Sequence, residues 1–500
     1  MIANYIHKKA IKISNSKGFY VTTPIYYVNG KPHIGHAYTT IAADMIARWH
    51  RIKGEKVFFL TGTDEHGEKI AKAALAAGKT PQEFVDVIVK EYKDSWEILN
   101  ISYDHFIRTT DEKHINVVSK FLEKLVENGD IYKGEYEGWY CVPDETFFTD
   151  LQLKDGKCPE CGREVIRLKE STHFFKLSAY QDKLLKLYSD KPEFLSPNLR
   201  ADEIINRVKE GLKDISITRA TVKWGVPFDK DHTVYVWVDA LINYISALNW
   251  PDGDKFNEFW PADIHIVGKE INWFHSVIWP SMLLSANMEP PRKVFAHGWW
   301  TVDGKQMRKS FNNFVDPLSM ARKYSTDALR YYLIREMPFG YDGDFSEQSL
   351  KNKINSELLG DLSNLVNRVL TLAEKSKMAK FAGKKELELK LNILSIDNKM
   401  EKLELYNALE EIMGFVRSCN KYVNDKKPWA LQGEELEESL YNLLESLRII
   451  SILLYPFIPS TCEKMAEKLG AEKPALIDCK FRSEFSEKLT KGDYLFKKVE

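Results

Sequence analysis

Six cysteines in 500 residues are too few for a disulfide scaffold, which excludes the small cross-linked classes and points to a reducing compartment. No apolar run approaches the ~18–20 residues that a membrane span needs. The most apolar stretch, Ile449 to Ile458, is interrupted by Ser451 and Pro456 and reads as a buried helix end. An excess of charge of one sign is missing too. Lys and Arg total 71 against 72 for Asp and Glu, so no global positive field announces a nucleic acid. Such a partner has to be met by local patches. No internal repeat and no extended low-complexity segment stands out. The first 17 residues carry four lysines, two serines and no acidic residue. Lacking arginine, they read as a basic extension rather than an organelle transit segment. A cytoplasmic location is expected, with a mitochondrial or other organellar one as the alternative.

What is there reads as a globular chain of several parts. Hydrophobic residues make up 44% and charged residues 29%, the balance of a globular chain. At ~100–200 residues per domain, about three domains are expected. Phe19 to Thr23 reads as a short buried strand, with Asn29–Gly30 and Pro32 as turn punctuation. From Gly35 a helical pattern places Ile41, Met45, Ile46 and Trp49 on one face, ending near Gly54. Val57 to Leu60 reads as a second strand, and another helix runs to Gly78. This alternation predicts a parallel α/β unit of the nucleotide-binding kind. It breaks near residue 120, where aromatics, short β-like runs and three cysteines predict an insertion. Val234–Val238 and Ile264–Val267 then read as strands that resume the fold, and Val294 to Val302 as another. Beyond Ser346 helical periodicity dominates, as in Leu409, Ile412, Met413, Val416, Cys419 and Val423. The Lys-rich stretch from Ser376 to Leu389 reads as a charged connection, and a C-terminal helical bundle is expected.

Three constellations carry chemistry. His33–Ile34–Gly35–His36 stands at a strand-to-helix junction, where free backbone N–H groups and the helix dipole favour an anion. Two imidazoles there can follow charge developing at phosphorus, and Gly35 lets a flat ligand approach the backbone. Two surface histidines capping a turn would look the same. Lys305–Gln306–Met307–Arg308–Lys309–Ser310 reads as a basic loop suited to a leaving pyrophosphate, or as a solvated charge run. Cys141–x–x–Asp144 and Cys158–x–x–Cys161–Gly162 have the spacing of a structural zinc knuckle, or of a relic knuckle without metal.

The first two elements together resemble the HIGH and KMSKS signatures of class I aminoacyl-tRNA synthetases. Their neighbours narrow this. Thr22 to Gly30, Gly62–Thr63–Asp64–Glu65–His66–Gly67, Tyr235–Val236–Trp237–Val238–Asp239–Ala240 and Val267 to His275 all resemble the methionyl-tRNA synthetase family of the short bacterial type. The likeness runs in order from about residue 18 to residue 500. The resemblance implies a Rossmann-like catalytic domain split by a connective insertion with a zinc-knuckle-like element, followed by an all-α anticodon-binding bundle. Its parts would be an N-terminal extension (1–17), a first catalytic half (18–120), the insertion (121–225), a second catalytic half with the KMSKS-like loop (226–325), a stem-contact linker (326–360) and the anticodon domain (361–500).

The resemblance further implies methionine–tRNA ligation with ATP, and Mg²⁺ on the phosphates. Methionine would lie among Ile25, Tyr27, Trp237, Ala240, Tyr244, Ile271 and His275, with Asp64 on its ammonium and Arg219 nearby. Taken singly, Trp237 and Tyr244 are as readily core residues. ATP would meet His33, Gly35, His36, Gly268, Glu270, Met307 and Lys309, with His33, His36 and Lys309 serving catalysis. The loop departs from the family pattern, because Gln306 replaces its first lysine and Arg308 its serine. Arg is no simple substitute for Lys, so a retuned loop is expected. Relatives carry four Cys or His ligands at this place for structural Zn²⁺, or have lost the site altogether; here Cys141, Asp144, Cys158 and Cys161 are the expected set. Asn364, Arg368 and Trp429 would read the anticodon of initiator and elongator methionine tRNA, beside a polar face with Arg417, Lys421 and Asn424. The chain stops where the anticodon bundle should end, so a monomer without a membrane partner is expected.

Overall fold

The computed structural model describes residues 17–28, 30–143, 146–148, 150, 153–159, 161–302, 304–306 and 314–500. At its centre is a six-stranded parallel sheet. Strands β1 (Phe19–Tyr27), β2 (Val57–Asp64) and β3 (His105–Arg108) form one half. After β3 the chain leaves for an antiparallel sheet of β4 (Ile131–Cys141), β5 (Thr146–Phe148), β6 (Ile166–Phe175) and, later, β8 (Ile215–Ser216). Between β6 and β8, β7 (Leu195–Ser196) returns to the edge of the main sheet. A short ribbon of β9 (Thr218–Arg219) and β10 (Thr233–Val234) leads back, and β11 (Ile264–Gly268) and β12 (Val294–His297) complete the parallel sheet. Its order is β3-β2-β1-β11-β12-β7. The β1–β2 and β2–β3 half and the β11–β12–β7 half therefore run outward from β1 and β11, opening a crevice at the carboxyl ends of those two strands.

Local chemistry explains these elements. β1 is buried along most of its length, as a central parallel strand must be. Its one proline, Pro24, sits where the pairing with β2 shifts register between Thr22 and Ile25, the place a strand tolerates a residue without an N–H. The Ile34–Ile52 helix starts from a reciprocal cap between His33 and His36, is buried on nearly every face, and ends with His50 and Arg51 toward the negative end of its dipole. The Pro81–Ile98 helix opens on a Thr80/Glu83 capping box with proline in its first turn.

Three expectations change. Val234–Val238 is not a strand: β10 ends at Val234 and a helix spans Val236–Leu241. A five-residue apolar run fits either state. The spacing of Trp237, Ala240, Leu241 and Tyr244 (i, i+3, i+4, i+7) is helical, and all four line one cavity. Val294–Val302 divides into β12 and a separate strand, β13 (Trp300–Val302), in another sheet. The break is at Gly298, where a Cβ would lie 2.3 Å from the Tyr341 backbone. Within residues 121–225, the antiparallel part is confined to β4–β6 and β8, while β7 pairs with β12 and the helices Gln181–Asp190 and Asn198–Lys209 pack into the main sheet's core. The residue 1–16 part of the basic extension lies outside the described residues.

The C-terminal half is helical, with helices Leu405–Lys426, Gly433–Leu454 and Pro459–Leu469 as its body. Leu409, Ile412, Met413, Val416, Cys419 and Val423 are all buried in it. The last segment doubles back, pairing Glu484–Phe485 with Phe381–Ala382. No helix among the described residues is long and apolar enough to cross a membrane. The bundle shares a continuous apolar core with the Ile34–Ile52 helix. At that joint lies a buried ion cluster. Arg330, fully buried on the Thr326–Arg335 helix, donates to Asp44 (2.7 Å) and to the carbonyls of Leu99, Asn100, Pro456 and Phe457 at 2.9–3.3 Å. Asp44 also accepts from Arg48 (2.8 Å) and from the Ser102 N–H and hydroxyl (2.7 and 2.6 Å). Burial alone would raise the Asp44 carboxyl, but Arg330, Arg48 and Ser102 hold it at about 2.

Arg330→Leu leaves the Asp44 charge buried without its main partner. The expected cost is roughly 3–5 kcal/mol, read as a lower midpoint of thermal unfolding; an unchanged midpoint would remove the joint from the account. Because the Asp44 pKa is depressed in the fold, its contribution is complete above the ordinary value of about 4. It is lost as pH falls through about 2.

Candidate active site

Two cavities of about 430 and 440 Å³ open at the crevice between β1 and β11. They share Pro24, Ile25, Tyr27, Trp237, Glu270 and Ile271. The bulge at Pro24 lets neighbouring residues of one strand serve both spaces.

The first cavity is largely apolar; its charged lining residues are Asp64, Lys69 and the shared Glu270. Ile25, Tyr27, Trp237, Ala240, Tyr244, Ile271 and His275 line it, and Asp64 enters from the end of β2, level with Tyr27. Trp237 stacks on Phe274 at 4.0 Å, fixing the indole as a wall. His275 is buried; its Nδ1 lies 3.0 Å from the Ile271 carbonyl and its Nε2 2.7 Å from the Tyr244 hydroxyl. The carbonyl can only accept, so the ring proton sits on Nδ1 and the Tyr244 hydroxyl donates to Nε2. Burial holds this imidazole at about 4, hence neutral. A largely apolar chamber with soft rings, a neutral imidazole and the Asp64 carboxylate suits a small ligand with an apolar side chain and an ammonium group.

The helix carrying Trp237 and Ala240 is anchored from below. Asp239 accepts from His66 Nδ1 (2.7 Å) and His114 Nε2 (2.8 Å), and His114 Nδ1 reaches Ser246 (2.7 Å). Burial would raise the Asp239 carboxyl, but the two imidazoles hold it at about 2. Arg219 is elsewhere. It stacks over Tyr235 at 4.0 Å, donates to Ser216 and the Thr218 carbonyl, and lines a separate small cavity with His66 and Trp224. It is not among the residues that line the Asp64 chamber.

The second cavity holds the helix N-terminus. His33 Nδ1 accepts from the Gly35 N–H (3.0 Å), and His36 Nδ1 from the His33 N–H (3.4 Å), while the two rings stack at 3.7 Å. With each Nδ1 used as acceptor, each neutral ring presents Nε2–H as a donor. Burial, and secondarily His33, keeps His36 well below the ordinary histidine range. A Cβ on Gly35 would meet the His33 ring at 2.9 Å. Opposite stand Gly268 and Glu270, whose carboxylate accepts from Trp299 Nε1 (2.6 Å) and covers Gly268 so closely that a Cβ there would lie 2.4 Å from it. His297, Trp299 and Trp300 complete this side. Met307 and Lys309 lie outside the described residues; the chain resumes at Phe314, edge-on to His33 at 6.0 Å.

Near the first cavity, Cys141, Cys158 and Cys161 bring three sulfurs within 4.8 Å of one another. Gly162, with φ +71°, donates to the Cys158 carbonyl (2.9 Å) and closes the knuckle turn. A tetrahedral zinc at ~2.3 Å from each sulfur needs thiolates in such a cluster, so the trio fits a structural ion. Asp144 lies outside the described residues. Pro143 and Phe148, from the same element, reach the wall of the Asp64 chamber. Far away on the bundle, Trp429 is 56% exposed, two residues after the left-handed Lys427 that ends the Leu405–Lys426 helix. The Arg368 guanidinium stands 5.7 Å from its ring and donates to Asn424 (3.3 Å), with exposed Asn364 one turn earlier.

Sequence reasoning missed Lys69, Phe274, His297, Trp299 and Trp300 as lining residues, and the Asp239 anchor. A signal for the anchor existed: His66 and Asp239 both stand in the quoted motifs, in the positions an apolar pocket does not need.

The family described as tRNA synthetases class I (M) matches residues 19–169 and 164–370, and the anticodon-binding domain of tRNA ligase matches residues 388–499. The methionine–tRNA ligase of Caldanaerobacter subterraneus subsp. tengcongensis is 51% identical over 472 residues, covering 91% of this chain and 74% of the relative. That of Thermotoga maritima is 48% identical over 478 residues, covering 91% and 76%. Among solved structures, Mycobacterium tuberculosis methionyl-tRNA synthetase in complex with methionyl-adenylate superposes with a TM-score of 0.92 at 38% identity, covering 96% of this chain and 99% of that one.

The neutral state of His275 is measurable. With the ring held at about 4, nitrogen-detected NMR of labelled histidine should show the Nδ1–H tautomer unchanged from pH 8 to about pH 5, with protonation only near 4. Titration at the ordinary ~6.5 would mean that the ring is not desolvated as described.

Proposed function

This chain belongs to the class I methionyl-tRNA synthetases and is a methionine–tRNA ligase, and from that premise we propose how its residues divide the reaction. Its partners are methionine, ATP and tRNA. The Asp64 chamber takes methionine: its ammonium pairs with Asp64, and its thioether lies among Ile25, Tyr27, Trp237, Ala240, Tyr244, Ile271 and His275. The adjoining cavity takes ATP, with Gly268 and Glu270 on the nucleoside and His33, Gly35 and His36 on the phosphates. The observation that carries this reading is the common wall of Ile25, Trp237 and Ile271, which sets the two cavities side by side. The methionine carboxylate can then face the α-phosphorus directly. No side-chain nucleophile is needed. The carboxylate oxygen forms the new bond to phosphorus, pyrophosphate departs, and the chain contributes orientation and hydrogen bonds to the developing charge.

Because His36 is held neutral, it supplies a donor but no positive charge. Lys309, with Arg308 beside it, and a Mg²⁺ ion on the phosphates are the proposed sources of that charge. Cys141, Cys158 and Cys161, with Asp144, are the proposed ligands of a structural Zn²⁺ that stiffens the insertion near the pocket wall. Asn364, Arg368 and Trp429 are proposed to receive splayed anticodon bases of initiator and elongator methionine tRNA, the ring by stacking and the guanidinium by charge. A monomer in the cytoplasm is the proposed working form.

Methionine-dependent ATP–pyrophosphate exchange tests the division. His36→Ala and Lys309→Ala should each lower the exchange rate about 10²–10³-fold, the usual loss when one transition-state donor is removed, with the Michaelis constant for methionine little changed. Undiminished exchange in both would sink these roles. Trp429→Ala should raise the Michaelis constant for tRNA and leave exchange intact; a parallel collapse of exchange would show that the ring supports the fold instead.

A further inference from the structure

At the root of the antiparallel insertion, three donors converge that the ligase reaction does not use. His173 lies on β6, while Asp229 and His232 lie on the turn before β10. One ligand atom from each falls within 4.8 Å of the other two. His232 Nδ1 is 2.8 Å from Asp229 Oδ1, and His173 Nε2 is 3.7 Å from Asp229 Oδ2. The surroundings hold these groups in place. His232 Nε2 lies 2.9 Å from the Ser171 carbonyl, which can only accept, so that nitrogen carries a proton. A neutral His232 ring therefore turns its Nδ1 lone pair toward the carboxylate. The backbone N–H groups of Asp231 and His232 donate to Asp229 Oδ1 at 2.8 Å each and aim the carboxylate. His173 is wedged against Phe228, ring centres 4.6 Å apart.

A nitrogen lone pair and a carboxylate oxygen at 2.8 Å repel each other unless a cation lies between them. The cation is either a proton on Nδ1 or a metal ion. Two imidazole nitrogens and one carboxylate, with the far N–H of one imidazole held by a main-chain carbonyl, form the donor set and outer shell of a borderline divalent transition ion. We propose that His173, Asp229 and His232 form a second metal site, separate from the cysteine knuckle, for Zn²⁺ or a similar ion. Two nitrogen donors of three disfavour Mg²⁺ and Ca²⁺, which take oxygen. The His232 side chain is 4% exposed and that of Asp229 37%, so the site is walled on one side and open to ion entry on the other. Lys133, paired across from His173 on β4, adds a repulsive charge that moderates affinity. An ion here would tie β6 to the turn that feeds β10 and, two residues later, the helix bearing Trp237 and Ala240.

The test uses the full-length chain without an affinity tag, stripped of metal and titrated with Zn²⁺ at neutral pH. Wild type is compared with His173→Gln and Asp229→Asn. Calorimetry should count one Zn²⁺ equivalent fewer in each variant, and that equivalent should raise the unfolding midpoint of wild type alone. With Co²⁺ in place of zinc, the same equivalent should add d–d absorption without the sulfur-to-metal charge-transfer band that cysteine ligands give. Equal stoichiometry in wild type and both variants would overturn the proposal and leave the proton as the occupant. Circular dichroism confirms the fold of each variant. Should His173→Gln not fold, Asp229→Asn, which keeps an acceptor for the turn, decides the question.

Discussion

The buried pairing of Asp44 with Arg330 is the constraint on which the two-part architecture rests. Asp44 belongs to the helix whose first turn holds His33 and His36, and Arg330 to the helix that leads into the anticodon half. Neither charge can be left alone in an apolar core. Arg330 is made tolerable by four main-chain carbonyls as well as by Asp44, and these come from the loop after the Pro81–Ile98 helix and from the turn before the Pro459–Leu469 helix. One guanidinium thus fixes three segments that are distant in sequence. The helix that begins at His33 and the helical C-terminal half are thereby locked together.

The active site works mainly through neutral groups whose protons are fixed by their neighbours. The Gly35 and His33 N–H groups dictate the tautomers of His33 and His36, and the Ile271 carbonyl dictates that of His275. Burial then keeps His36 and His275 from charging. Among the described residues, formal charge is limited to a few carboxylates and Lys69. Asp64 faces the chamber, Glu270 is bound to Trp299, and Asp239 lies beneath the chamber floor between two imidazoles. A pocket of this kind needs little reorganisation as the ligand's charge shifts, because its dipoles are set before the ligand arrives.

Some of this was legible in the residues themselves. The alternation from Phe19 to Gly78 sufficed for the parallel sheet, since a strand buried on both faces and a helix buried on one leave different periods in the chain. The bundle was legible for the same reason, in the spacing of Leu409 to Val423. Ile25, Tyr27, Asp64, Trp237 and His275 were implied as a group only by the family resemblance, and the fold places them around one chamber. The run Val234–Val238 misled because five consecutive apolar residues carry no period. The decisive repeat, Trp237–Ala240–Leu241–Tyr244, extends beyond that window.

What the sequence by itself determined is the set of elements, their order and the chemical types gathered in the motifs, because these follow from local periodicity and from residue identity. Only the tertiary structure decided which of those residues meet. It set Arg219 over Tyr235 in a cavity of its own, drew Asp239 between His66 and His114, returned β7 to the main sheet and set His173 beside Asp229 and His232. Such meetings join residues tens to hundreds of positions apart, and they are fixed by the burial of polar groups that must find partners somewhere in the fold. No local pattern records which partner that will be.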